Sequence, residues 1–275
     1  MLTRRQFLQM MVATPVLAGL YAWQVEPAWV EYVRLPLPVR NLPDRWVGRT
    51  LVQLSDLHIG PRVDPQYLRR TFAAVSALRP DLVAYTGDFV TYAGPSTLGQ
   101  LSHPVGEFPR GALGTVAVLG NHDFGEQWRD QALADNVAAQ LADHGCVVLR
   151  NQCVEVGGLV IGGVDDFWSG KFHLGPVVSA RPAVVLCHNP DACDLPGWRD
   201  FQGWVLSGHT HGGQCRPPFL PPPLLPVKNP RYTAGTIALG EHRTLYINRG
   251  LGHLLKVRFN ARPEVTIFTL EKARA

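Results

Sequence analysis

From about residue 30 onward the chain alternates short apolar runs with abrupt polar clusters. Runs at 49–55, 81–86, 114–119, 182–187 and 201–207 are apolar almost throughout, as expected of short buried strands. Two stretches carry helix signals instead. Asp64 before Pro65 opens a helix running to Leu78, because its carboxylate satisfies free N–H groups and proline suits the first turn. Residues 126–144 form a second helix, closed by Gly145. Hairpin-like pairs lie at 147–163 and 236–248, with Gly-Gly and Gly-Glu supplying the turns, and a last strand covers 265–270. No internal repeat or flexible linker breaks this pattern. It predicts an α/β sandwich of sheets with flanking helices, in one domain.

The first 28 residues follow another rule. Thr3-Arg4-Arg5-Gln6-Phe7-Leu8 is followed by an uncharged run from Gln6 through Val25. A basic start before an apolar stretch is the pattern of an export signal, and paired arginines before Phe-Leu resemble the twin-arginine motif, whose translocon carries folded proteins. A bilayer-spanning helix needs about 20 apolar residues, and Pro15 interrupts this run. Leu20-Tyr21-Ala22 is the nearest approach to a cleavage site. Residues 1–28 are therefore read as a signal or membrane anchor, and 29–275 as the catalytic domain, facing outward or in the periplasm or cell envelope.

Composition narrows the class. The 275 residues are 46% hydrophobic and 17% charged, enough apolar material for a sizeable core. A net charge of +4, without a basic stripe, argues against nucleic acid as a partner. Five cysteines form no CxxC and leave an odd one, which argues against a disulfide framework. The 27 glycines and 23 prolines point to long, shaped loops.

Those loops carry the chemistry. The five strand-like runs end in Ser55-Asp56-Leu57-His58, Thr86-Gly87-Asp88, Leu119-Gly120-Asn121-His122-Asp123, Cys187-His188-Asn189-Pro190 and Ser207-Gly208-His209-Thr210-His211-Gly212-Gly213. Half of the ten histidines fall in these pieces. Strand ends converge at a sheet edge, where loops gather residues distant in sequence. Carboxylate and amide oxygens mixed with imidazoles suit divalent first-row metals. In Asp-x-His and His-x-His, residues i and i+2 share a face when extended, so each pair can grip one centre.

These blocks resemble the calcineurin-like metallophosphoesterase family, whose pattern runs D-x-H, G-D, G-N-H-D/E, H and G-H-x-H. All five occur here in order. Outside them the chain is similar to the YaeI-like, twin-arginine-exported phosphodiesterases, including Leu206–Gln214, Arg249-Gly250-Leu251-Gly252 and Arg258-Phe259-Asn260. The resemblance implies a calcineurin-like sandwich of two mixed β-sheets flanked by helices. It implies two divalent metal ions (Mn, Fe or Zn) and a metal-activated water that attacks a phosphoester, most often a phosphodiester. One metal would be held by Asp56, His58, Asp88 and His211, and the other by Asp88, Asn121, His188 and His209. His122 would protonate the leaving oxygen, with Asp123 orienting its ring. A lipid-linked substrate such as UDP-2,3-diacylglucosamine is the alternative within that class. A non-catalytic, membrane-anchored binding scaffold is the alternative outside it.

Other residues admit two readings each. Arg249, His253 and Asp166 are candidate substrate contacts, set against ordinary turns. His103, His144, His173 and His242 read as surface or core residues, and Cys187 as a small core residue. Residues 216–226 (RPPFLPPPLLP) form a stiff, extended loop, either a rigid wall of the site or an apolar lip for membrane or acyl chains.

Overall fold

Two six-stranded mixed sheets face one another in the computed structural model, which describes residues 3–91, 96–198 and 201–273. The strands are β1 (Glu31–Val39), β2 (Thr50–Leu54), β3 (Leu82–Thr86), β4 (Gly114–Val118), β5 (Val147–Val148), β6 (Gln152–Val156), β7 (Leu159–Gly163), β8 (Val184–Leu186), β9 (Gly203–Ser207), β10 (Gly235–Ala238), β11 (Arg243–Ile247) and β12 (Glu264–Lys272). One sheet runs β1-β12-β2-β3-β4-β5 and the other β10-β11-β9-β8-β7-β6. β2 to β5 are parallel, as are β7, β8, β9 and β11. The expected α/β sandwich of two mixed sheets is what the chain forms.

The inner faces of the sheets share one core, including Leu51, Leu82, Val116, Val184, Leu206 and Phe268. A second core lies between the first sheet and helices α2 (Pro65–Ala77), α3 (Ser96–Val105) and α4 (Gln131–Asp143). A third backs the other sheet, beside the short α5 (Gly175–Ser179). Gln53 ties the sheets together at their strand ends: its buried amide donates to Thr86 Oγ1 (3.0 Å) on β3 and to the Ser207 carbonyl (2.9 Å) on β9. That clamp sits where the polar loops begin.

The five predicted strands are all present, shortened at their ends. α2 begins as expected, with Asp64 accepting from Gln66 N at 2.9 Å. Two expectations change. α4 starts at Gln131 rather than near 126, because Gly125 and Trp128 take left-handed backbone and Asp130 supplies the cap to Leu133 N. The pair at 147–163 is divided between sheets: β5 pairs with β4, and only β6 and β7 form a hairpin. β1 carries Pro36 and Pro38, which conceal it as a strand in the sequence; it is an edge strand, where a missing N–H is tolerated.

The N-terminal stretch forms α1 (Arg4–Leu20), capped by Thr3 and containing Pro15. Among the described residues no helix is long and apolar enough to cross a membrane. The turn after α1 is tied to the body: Ala22 is buried and its carbonyl accepts from Arg258 N, while buried Glu26 accepts from Ala261 N. The side chains of Arg5 and His103 lie outside the described residues.

Candidate metal centre

Each polar loop leaves the C-terminal end of a parallel strand, and the two sheets bring five such ends together. Asp56, His58 and His211 converge in one buried group and Asp88, His188 and His209 in another, with the ligand-type atoms of each group within 4.8 Å of one another. Asp88 Oδ2 lies 3.3 Å from His188 Nε2 and 3.6 Å from His58 Nε2, so one carboxylate oxygen reaches both groups. Asn121 Oδ1 is 3.2 Å from His188 Nε2, and Asp56 Oδ1 is 3.4 Å from His211 Nε2. The seven residues read as ligands in the sequence are thus brought together.

Neighbouring groups fix which nitrogen of each ring carries a proton. A backbone carbonyl only accepts, so His188 donates its Nδ1–H to Thr86 O (2.7 Å) and His209 its Nε2–H to Pro226 O (2.9 Å). The other nitrogens, His188 Nε2 and His209 Nδ1, then face each other at 3.2 Å. His58 Nδ1 is engaged by Thr91 Oγ1 at 2.8 Å, which turns its Nε2 toward His211 Nε2 at 3.1 Å. Such outer partners orient metal-binding imidazoles. Two nitrogen lone pairs at this separation repel unless a proton or a metal ion lies between them, and the mixed imidazole, carboxylate and amide donors fit divalent metals.

Electrostatics point the same way. Burial holds His58 and His209 as neutral bases, pushing both down to about 3, and pushes His211 well below the usual range. Burial also opposes charge on His188, but the Asp88 carboxylate outweighs it and raises that ring to about 10. Burial lifts the Asp56 carboxyl to about 7, and Asp88 is held well below the carboxylate range by His188 and His122 against its own burial. Without metal, His188 and Asp88 form the charged pair of the site.

The backbone is unusual at the same places. Asp56, His58, Asp88, His209 and His211 all have φ between 48° and 71°, the left-handed region, which costs a non-glycine residue about 1–3 kcal/mol at a strained site. The loops also approach closely: a Cβ on Gly120 would overlap Asp88 Oδ1, and one on Gly208 would overlap Ser55 Oγ and Asp56 Oδ2.

His122 stands beside the centre, its ring edge-on to His58 with centroids 5.0 Å apart, and its backbone N–H donates to Asp88 Oδ1 at 2.9 Å. Asp123 has a different task from the one expected. Its two oxygens accept from Val90 N (3.1 Å) and Gly120 N (2.9 Å), so it shapes the ligand loop instead of orienting the His122 ring. Burial, with Asp88 nearby, lifts its carboxyl to about 8.

The three candidate substrate residues separate. Arg249 is paired with Glu264 and Glu31, and its stem would meet any Cβ added at Gly212, so it braces the His-x-His turn. His253 donates to the Arg62 carbonyl at 3.1 Å, and its Nδ1 is buried without a partner among the described residues. Asp166 is buried, accepts from Trp168 N at 2.8 Å, and is lifted to about 6 by burial. It acts on the centre through Trp168, whose indole meets the His209 ring edge-on at 4.7 Å. Cys187 packs in the core beside His188, and His144, His173 and His242 lie away from the centre.

Sequence reasoning passed over Arg258. It is fully buried and gives one nitrogen to the carbonyls of Arg249, Gly250 and Gly252 and another to Ala261, within 3.4 Å of His211 Nδ1. The only signal was its place in the quoted Arg-Phe-Asn block. Arginine is not a metal ligand, so a search for donors missed it.

Comparison with known proteins fits this geometry. Residues 49–213 match the family described as calcineurin-like phosphoesterase. The chain is 33% identical to phosphodiesterase YaeI of Escherichia coli over 98% of its own length and all of that protein. It is 29% identical to the uncharacterized metallophosphoesterase YkuE of Bacillus subtilis over 98% of both chains. With UDP-2,3-diacylglucosamine pyrophosphatase LpxG of Chlamydia muridarum it shares 28% identity over 93% of this chain and 94% of that one.

Proposed function

Because the chain belongs to the calcineurin-like phosphoesterase family, we propose that it is a phosphodiesterase that works with two divalent cations. Asp56, His58, Asp88 and His211 would hold one, and Asp88, Asn121, His188 and His209 the other, with Asp88 shared. The observation that carries this reading is the position of Asp88 Oδ2, within 3.3 Å of one imidazole group and 3.6 Å of the other. When bound, such a pair acidifies the attacking water and neutralises charge on the phosphoryl oxygens.

The chain's own residues supply the rest. The Thr86 and Pro226 carbonyls hold His188 and His209 in their binding tautomers, and the Thr91 hydroxyl orients the His58 ring. His122, outside both ligand groups and partly open to solvent, is placed to give a proton to the leaving oxygen. Trp168 walls His209. Mn, Fe and Zn all suit the mixed nitrogen and oxygen donors.

A panel of phosphoesters assayed on purified protein with each metal tests this reading. Phosphodiester turnover with about two metal ions per chain supports it. Turnover confined to monoesters overturns the diester assignment, and metal-loaded protein inactive on every ester leaves a binding scaffold. Two relatives named UDP-2,3-diacylglucosamine pyrophosphatase support lipid-linked pyrophosphate as a second substrate. Cleavage of that compound at rates above those on simple diesters would establish it.

The Arg4-Arg5 motif supports export of the folded protein by the twin-arginine route, with the catalytic domain in the periplasm or cell envelope. Residues 1–28 serve in this reading as signal or anchor. Arg4→Lys/Arg5→Lys should retain active enzyme in the cytoplasm, and unchanged fractionation would refute it.

A further inference from the structure

Exposed apolar side chains are not scattered over this protein. Of sixteen large ones among the described residues, twelve fall at 11–32, at 219–224 or at Leu255. Phe219 is fully exposed, Leu224 is 76% exposed and Leu255 62%. Single exposed apolar residues need no explanation, but a concentration of them marks an interaction face.

These three segments are stitched together. Tyr21 meets Phe259 edge-on at 6.5 Å, and Ala22 O accepts from Arg258 N at 2.9 Å. Phe259 N donates to Gln214 O and Phe259 O accepts from Arg216 N, which leads directly into the proline-rich loop. Gln214 Nε2 closes the set on Leu255 O at 2.9 Å. The face also adjoins the metal centre, since Pro226 holds His209 and Arg258 lies against His211.

Its charge is one-sided. Outside the core, residues 214–231 and 251–262 contain Arg216, Lys228, Arg231, Lys256 and Arg262 and no acidic residue, while in the N-terminal segment Glu26 is buried and Glu31 is paired with Arg249. Trp23 and Trp29 are half exposed at the foot of α1, and the Arg262 guanidinium stacks on Trp29 at 4.1 Å. Tryptophan beside cations, with aliphatic side chains projecting past them, is the composition that settles at a headgroup boundary. A mostly apolar cleft of about 810 Å³ opens along this margin, between Pro27 and α2, with Arg62 and Lys256 in its lining.

We infer that this face docks on an anionic phospholipid bilayer and presents the metal centre to phosphodiesters held in that membrane. The substrate half rests on the phosphodiesterase reading; the docking half does not. The leucines and Phe219 enter the acyl boundary, and the cations meet the phosphates above it.

The test uses the full chain and the variant Phe219→Ser/Leu220→Ser/Leu224→Ser. Wild type should float with phosphatidylcholine–phosphatidylglycerol vesicles, poorly with phosphatidylcholine alone, and less at high salt. The variant should lose at least about tenfold in turnover of an aryl phosphodiester lipid embedded in those vesicles. Its rate on a soluble bis-aryl phosphodiester should stay within about twofold. Wild type that ignores anionic vesicles, or that forms dimers the variant does not, overturns the inference. So does equal loss on both substrates, since the loop is then only a wall of the site. Inactivity of wild type on the soluble diester would count against the phosphodiesterase reading alone, because flotation is read independently.

Discussion

His188 Nε2 and His209 Nδ1 stand 3.2 Å apart, and each ring gives the N–H of its other nitrogen to a backbone carbonyl. The two facing nitrogens of this buried site are thereby left to a cation, a metal ion or, without one, the proton that Asp88 holds on His188. Chelation should therefore cost stability as well as activity. At a hundredfold excess of free ion over Kd, each site contributes about 2.7 kcal/mol. For a chain of this size the melting temperature of the stripped protein should fall by at least about 5 °C. Recovery on adding Mn, Fe or Zn, followed by scanning calorimetry, checks it; an unchanged melting temperature would count against a metal centre here.

Asp88 Oδ2 lies near both imidazole groups. Asp88→Asn keeps the shape but removes the charge that both cations need. Metal content should drop from about two ions to one or fewer, and kcat by at least about 100-fold. Elemental analysis beside a diester assay reads both. Retained turnover would sink the shared-ligand assignment.

His122 reaches the centre without joining either ligand group. His122→Asn should leave metal content near two while lowering kcat about 10²–10⁴-fold. The loss should be smallest for a nitroaryl leaving group, which needs no proton, and largest for an alkyl one. Equal losses on both would remove the proton-donor role.

Burial, with Arg258 nearby, depresses His253 to about 4. Its folded value lies below the unfolded one near 6.5. The stability it contributes is therefore present above about pH 6.5 and lost as pH falls toward 4. His253→Gln can still donate to the Arg62 carbonyl but cannot take up a proton. The variant should lose less melting temperature between pH 7 and pH 5 than wild type, with both proteins metal-free. Parallel curves would show that folding leaves the proton affinity of His253 unchanged and would overturn the burial argument.

Arg258 supplies hydrogen bonds to four carbonyls inside the body. Arg258→Met fills similar space but orphans those acceptors, each buried group costing about 1–3 kcal/mol. Urea denaturation should show a loss of about 3 kcal/mol or more, with Asp56 and His211 loosened because residues 249–252 pack on them. A neutral result would mean that water replaces the guanidinium.

The residues that converge at the candidate centre were legible in the sequence because metal chemistry restricts residue types and the loops keep fixed spacings. The central strands were legible for a related reason: strands buried on both faces are apolar throughout. What hid from the sequence was set by tertiary neighbours. β1 was concealed by prolines that only an edge tolerates. α4 starts late because Trp128 turns left-handed. Asp123 looked like a partner for His122, yet two backbone N–H groups claim it. Arg249 looked free, yet Glu31 and Glu264 come from residues far along the chain.

Five candidate donors, Asp56, His58, Asp88, His209 and His211, sit in a torsional basin that residues other than glycine seldom enter. Such a basin is narrow, so opening these loops to suit a larger ion would cost main-chain strain. The cage has a set aperture, shaped before loading. Ions that favour donors at about 2.0–2.2 Å should seat without adjustment, whereas calcium, at about 2.3–2.6 Å, would have to force main-chain torsions apart. Discrimination between ions would then reside in the backbone, where no exchange of one donor side chain for another would reveal it.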